Sequence, residues 1–113
     1  MKFEIFKNKR NNKFYFNLKS RNGQVVLTSE GFPNKSTAKR NISTVQKNCT
    51  DDKWIETKIA KNGTHTFAIM NTKKAVVGKS QKYNSVITMK KGMKAVVRAS
   101  ATETVIDLTA SSN

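Results

Sequence analysis

Cys49 and His65 each occur once in this 113-residue chain, and together they have the residue types of a thiolate nucleophile and its base. Their positions argue against that chemistry. Cys49 follows the apolar series Ala38, Ile42 and Val45, which has helical spacing. It therefore falls at a helix C-terminus, where the helix dipole disfavours a thiolate. His65 stands where an internal repeat, described below, places Phe14, so it reads as a residue at the margin of a core. Gly78-Lys79-Ser80 has the ending of a phosphate-binding loop, but that motif needs a further glycine where Lys73 stands and a helix directly afterwards. A tetrahedral zinc site needs three or four ligands, and one Cys with one His does not supply them. The carboxylates Asp51, Asp52, Glu56, Glu103 and Asp107 cluster around one strand type and form no acid–base pair. These residues lead us to expect no catalytic site, metal or cofactor.

The basic residues remain. The chain carries 22 Lys and Arg against seven Asp and Glu, a net charge of +15. Thr57 to Thr102 holds ten basic residues and no carboxylate. Such a field attracts polyanions, chiefly nucleic acid, or an acidic protein. Lys90, Lys94 and Arg98 recur at i, i+4 and i+8 and form one row on a helix, with Lys91 beside it. Each like-charge neighbour in such a row costs about 0.2–0.5 kcal/mol. Lys39, Arg40 and Lys47 hold the corresponding positions on an earlier helix, with Ser43 in the row, and Lys7, Lys9, Arg10 and Lys13 crowd one loop. Because lysine predominates over arginine, contacts to phosphate are expected without base reading, and binding should be weakly sequence-specific and salt-sensitive. Tyr15 and Tyr83 would serve as stacking platforms if exposed. The competing reading is an ordinary solvated helix face, in a structural or protein-interaction module whose charge serves solubility or an acidic partner.

The elements that carry these residues occur in duplicate. Sliding the chain on itself places Phe32 over Tyr83, an offset of 51 that also pairs Phe16 with Phe67, Leu18 with Ile69, Ser29 with Ser80, Lys39 with Lys90 and Val45 with Val96. It carries Lys2-Phe3-Glu4-Ile5-Phe6 onto Lys53-Trp54-Ile55-Glu56-Thr57 and again onto Thr104-Val105-Ile106-Asp107-Leu108. One strand thus occurs three times and everything else twice. Phe14 to Lys19 alternates apolar and polar, and Asn22-Gly23 is a tight-turn dipeptide before Gln24 to Thr28, so the two segments form a hairpin. Asn34 caps a helix buried through Ala38, Ile42 and Val45; Ser85 caps a second, buried through Met89, Met93 and Val96. Gly92 inside the second helix costs about 1 kcal/mol against Ala, which suggests a close packing contact there.

The segments Phe3 to Lys7, Phe14 to Lys19, Asn22 to Gly31 and Asn41 to Asn48 resemble the YegP-like family of small bacterial and archaeal proteins. The resemblance implies an α+β fold of two tandem β-β-β-α units with antiparallel sheets, related by a pseudo-two-fold axis. It also implies that the strand after each helix crosses to the sheet of the other unit, making a monomer that is a pseudo-dimer. It brings no settled biochemical function. The family usually has Asn-Gly-Ile within its helices, where this chain reads Arg40-Asn41-Ile42 and Lys91-Gly92-Met93, and it is not as a rule this basic. With both crossing strands in place, both sheet edges would be occupied.

The expected organisation is one domain: residues 1–51 as the first unit, 52–109 as the second with a closing strand at 103–108, and 110–113 as a frayed tail. No run approaches the roughly 18 apolar residues of a membrane helix, and MKFEIFKNKR breaks its apolar residues with charge, so no membrane association and a cytoplasmic location are expected.

Overall fold

Strand alternation and two amphipathic helices translate directly into the architecture of the computed structural model, which describes residues 1–109. The order is β1 (Lys2–Lys7), β2 (Phe14–Lys19), β3 (Val25–Ser29), α1 (Lys35–Asn48), a short 3-10 turn (Asp52–Trp54), β4 (Ile55–Ile59), β5 (His65–Met70), β6 (Val76–Lys79), α2 (Val86–Ser100) and β7 (Val105–Asp107). Phe3 and Ile5 of β1, Phe16 and Leu18 of β2, Leu27 of β3, and Phe67 and Ile69 of β5 turn to one face of the sheet. Ala38, Ile42 and Val45 of α1, with Met89, Val96 and Ala99 of α2, close over them to complete the core. Both caps form: Asn34 Oδ1 accepts from Thr37 N–H at 2.8 Å, and Ser85 Oγ from Thr88 N–H at 3.2 Å.

The fold is α+β, but its sheet corrects the expected topology. A single seven-stranded sheet runs β4-β5-β6-β3-β2-β1-β7. The antiparallel pairs Thr28–Lys79 and Ser29–Gly78 join the two meanders, so there are not two sheets. The sheet is mixed, because β7 lies parallel to β1, with Phe3 beside Val105 and Ile5 beside Asp107. A parallel pair needs a crossover connection, and α2 lies in the long connection that brings β7 to β1.

A second correction concerns β4. Ile55, not Trp54, pairs with Ile69, whereas Phe3 pairs with Leu18. The offset is therefore 52 at this strand and returns to 51 by His65, which bridges Tyr83 as Phe14 bridges Phe32. The loop after β4, residues 60–64, is one residue shorter than residues 8–13 after β1. Such a slip turns each side chain to the other face of the strand, and Trp54 falls in the 3-10 turn. The third correction is at the edges: β7 covers β1, but among the described residues nothing pairs with the outer side of β4. The closing strand spans Val105–Asp107, shorter than 103–108. The expected tail, 110–113, lies outside the described residues.

Several contacts recur 51 residues apart. Phe16 N–H donates to Ser29 Oγ at 2.8 Å and Phe67 N–H to Ser80 Oγ at 2.9 Å. Register shifts fall at Leu18/Lys19 and at Ile69/Met70. Cys49 Sγ meets Ser100 Oγ at 3.2 Å, where the two helix ends come together.

Candidate polyanion-binding surface

The row Lys90, Lys94 and Arg98 follows from the packing of α2. Met89, Gly92, Val96 and Ala99 face the core, which leaves the charged positions exposed. The row borders a groove between α2 and β4. Ile55, Ile59, Met89, Met93 and Val97 supply apolar walls, and Lys58 of β4 lies across from Lys90. Lys58 was not singled out from the sequence; its place on this rim depends on the β4 register, which the ungapped alignment misassigns. Lys91 is exposed on α2, as are Lys39, Arg40 and Lys47 on α1.

None of these helix residues forms an ion pair among the described residues. The pairs present are Lys2–Glu4 (3.5 Å), Lys19–Glu4 (2.7 Å), Lys35–Asp107 (2.9 Å) and Lys58–Glu56 (3.4 Å). The Lys19 hydrogen bond holds the Glu4 carboxyl below its ordinary pKa. Asp107 is held well below the carboxylate range, first by the Thr109 side chain and then by Lys35. These two carboxylates are committed to internal contacts and do not neutralise the helix rows.

The structure does not merge the basic residues into one surface. Lys39 borders a separate cleft beside β7, with Glu103 and Asp107 opposite. The loop carrying Lys9, Arg10 and Lys13 follows β1 and lies at the α1 end of the sheet, because Phe14 bridges Phe32. Lys7 Nζ rests over the Phe14 ring, 5.5 Å from its centroid. The loop is internally braced: Asn8 Oδ1 accepts from Arg10 N–H, Asn11 Oδ1 from Lys13 N–H, and Asn12 takes φ 60°. β1 and β4 are five strand spacings apart in this sheet, about 24 Å at the usual separation. The loop and the Lys90 end of the α2 row, beside β4, are therefore separate patches, while Arg98 at the other end of the row also borders Met1, Ser20 and Arg21.

Neither tyrosine is a free stacking platform. Tyr15 stacks on Phe6 at 5.6 Å, and its hydroxyl accepts from Asn11 Nδ2. Tyr83 stacks on Phe67 at 6.3 Å with its hydroxyl against Gly92, and burial raises its pKa. Cys49 is buried among the helix ends, and His65 sits half-buried at the start of β5. Among the described residues no group of His, Cys, Asp and Glu is placed to hold a metal ion. No helix among them is long and apolar enough to cross a membrane.

The fold defines a small α+β protein built from a mixed sheet with two helices on one face, and known proteins share it. Residues 10–56 match a domain of unknown function, DUF1508. A UPF0339 protein of Pasteurella multocida is 39% identical over 100 residues, 88% of each chain. The UPF0339 protein YegP of Escherichia coli is 33% identical over 95% of this chain and 96% of its own. The solution NMR structure of E. coli YegP, a protein of unknown function, superposes with a TM-score of 0.88 at 32% identity, covering 94% of this chain and 90% of that one. A UPF0339 protein of Shewanella oneidensis, also solved by NMR, gives 0.87 at 35% identity over 94% and 89%. The chain belongs to the UPF0339 family, in which YegP is a relative. That family is uncharacterised and has no known enzymatic activity.

Proposed function

We propose that the protein is a small basic binding module, not an enzyme, that contacts nucleic acid or another polyanion with low sequence specificity. The observation that carries this reading is the exposed row Lys90, Lys94 and Arg98, which is without ion pairs among the described residues while Glu4 and Asp107 are engaged elsewhere. Lys91 and the α1 residues Lys39, Arg40 and Lys47 add charge on the helices, and Lys7, Lys9, Arg10 and Lys13 form the second patch. On this reading the two β-β-β-α units are related by a pseudo-two-fold axis near the Thr28–Lys79 pair, whose members are themselves 51 residues apart. The protein acts as a monomer in the cytoplasm.

The test is retention on heparin and the shift of a DNA or RNA oligonucleotide across a salt series. Three phosphate contacts give a log–log slope of about −2.7, hence about a 40-fold loss between about 50 and 200 mM salt. Lys90→Gln, Lys94→Gln and Arg98→Gln together should abolish most of that dependence. No binding at the lower salt, or unchanged binding by the triple variant, would sink the reading. The exposed apolar walls beside the same row favour a second one, a module that docks another protein.

A further inference from the structure

The groove between α1 and β1 is filled by a strand, whereas among the described residues no strand fills its counterpart between α2 and β4. On the filled side β7 pairs with β1; Phe3 N–H donates to Thr104 O at 3.0 Å and Leu108 N–H to Ile5 O at 2.9 Å. Lys39, Ile42, Ser43 and Gln46 of α1 border β7. Lys35 Nζ holds Asp107 at 2.9 Å, and Gln46 Nε2 donates to Thr102 O at 3.1 Å. Adding 51 to these α1 positions gives Val86, Lys90, Met93, Lys94 and Val97, the residues that border the α2–β4 groove. Its two adjoining clefts measure about 470 and 410 Å³.

Three of the molecule's exposed large apolar side chains stand there: Ile59 at 68%, Val86 at 42% and Val97 at 38% exposure. Beside them runs the unpaired outer edge of β4, ready to take a further strand. Lys58, Lys90, Lys94 and Arg98 border the clefts, against Asp52 as the one carboxylate lining them among the described residues.

We propose that the α2–β4 groove binds an extended segment of a partner protein that presents acidic and apolar side chains on one face, as Glu103, Val105 and Asp107 do toward α1, by adding it as an eighth strand beside β4. The apolar side chains cover Val86, Met93 and Val97, and the acidic ones meet Lys90 and Lys94. This site rests on the equivalence of the two helix–edge grooves and does not require the polyanion reading.

The test uses the isotope-labelled full chain and a synthetic peptide with the sequence of residues 101–109, with a scrambled peptide as control. The peptide should shift the amides of β4 and of the facing side of α2 and leave those of β1 and β7 unmoved. Val86→Glu should weaken it by about tenfold or more, because a carboxylate there faces apolar side chains and an acidic ligand. An acidic residue suits the first turn of a helix, so α2 should form normally in that variant. Its Lys90, Lys94 and Arg98 remain, so heparin retention should stay near that of the unaltered chain, which separates this site from polyanion binding. A peptide in which Glu103 and Asp107 are replaced by Lys should bind more weakly than the original. The proposal is overturned if the peptide at millimolar concentration moves no β4 or α2 amide, if it moves only β1 and β7, or if the scrambled peptide binds equally. It is overturned too if a single-stranded oligonucleotide shifts the groove and the peptide does not.

Discussion

Replacing Gly92 by Ala isolates one contact whose effect has a sign that packing and helix propensity dispute. A Cβ on Gly92 would lie 2.1 Å from Tyr83 Oη, 2.4 Å from Cζ and 3.0 Å from Cε2. At an open helical site the same change stabilises by about 1 kcal/mol. Here the ring must move, and it is held at its base by the two-way backbone bridge between Tyr83 and His65 and along its face by Phe67. Overpacking of this kind costs about 1–3 kcal/mol. The net expectation is a loss of up to about 2 kcal/mol, read as a drop of up to about 8 °C in Tm for a domain of this size.

The other half supplies the control. Phe32 occupies the corresponding place, stacked on Phe16 at 6.2 Å, and the position 51 residues before Gly92 is Asn41, which has a side chain. The aromatic with a hydroxyl thus faces a glycine, and the repeat-equivalent of that glycine beside the aromatic without one is a larger residue. Tyr83→Phe in the Gly92→Ala background should recover part of the loss, the part tied to Oη, leaving the Cζ contact. Thermal and urea melts of the two single variants and the double variant should give a coupling of about 0.5 kcal/mol or more. A rise in Tm for Gly92→Ala, or additive effects in the double variant, would refute the reasoning.

Ser29→Ala should cost about 1–3 kcal/mol in urea melts, because Ser29 Oγ is buried and accepts from Phe16 N–H while donating to Glu30 O; Ser80→Ala, at the less buried counterpart, should cost less. Lys74 takes φ 64° at the turn position where the first hairpin has Gly23 at φ 85°. Lys74→Gly should therefore stabilise by up to about 1 kcal/mol, the relief of left-handed strain less the entropy of the added glycine, as read by Tm. The depressed pKa of Asp107 contributes stability that is present above the ordinary aspartate range and is lost as pH falls through and below it. Asp107→Asn should lower Tm at neutral pH and narrow its gap to the unaltered chain as the solution is acidified; a constant gap would contradict the assignment. Deleting residues 103–113 removes β7 and the Asp107 contact to Lys35, and should lower the melting temperature of the whole protein, where an unchanged melt would refute the role given to β7.

Local chemistry made much of this fold readable. The caps Asn34 and Ser85, the helical spacing of Ala38, Ile42 and Val45, and the Gly92 contact each depend on residues near in sequence or on one periodicity. The joining of the two meanders was not readable, because the Thr28–Lys79 and Ser29–Gly78 pairs connect strand positions with no pattern of their own. The β4 register was hidden for a different reason. Trp54 and Ile55 are adjacent apolar residues, so either could take the place of Phe3, and only the shorter loop at 60–64 decides between them. Charge spacing put Lys90, Lys94 and Arg98 on one helix face, but it carried no information about what that face borders.

The difference between the two edges bears most on function. Helix positions 51 residues apart meet β7 on one side and, among the described residues, no strand on the other. On the filled side, Lys35 and Gln46 bond to β7 or its approach. On the open side their counterparts are Val86 and Val97, two apolar residues at 42% and 38% exposure. A surface adapted only for solvent gains nothing from apolar side chains at those positions, since leaving them exposed costs about 25 cal/mol per Å² relative to covering them. Lys90 and Lys94 stand beside that open edge and give it positive charge. That charge leaves the edge attractive to a strand of opposite charge. From α1 to α2, Lys35 and Gln46 give way to the apolar Val86 and Val97 while the number of lysines stays at two, so this groove gains apolar surface and keeps its charge, which suits an acidic, extended partner.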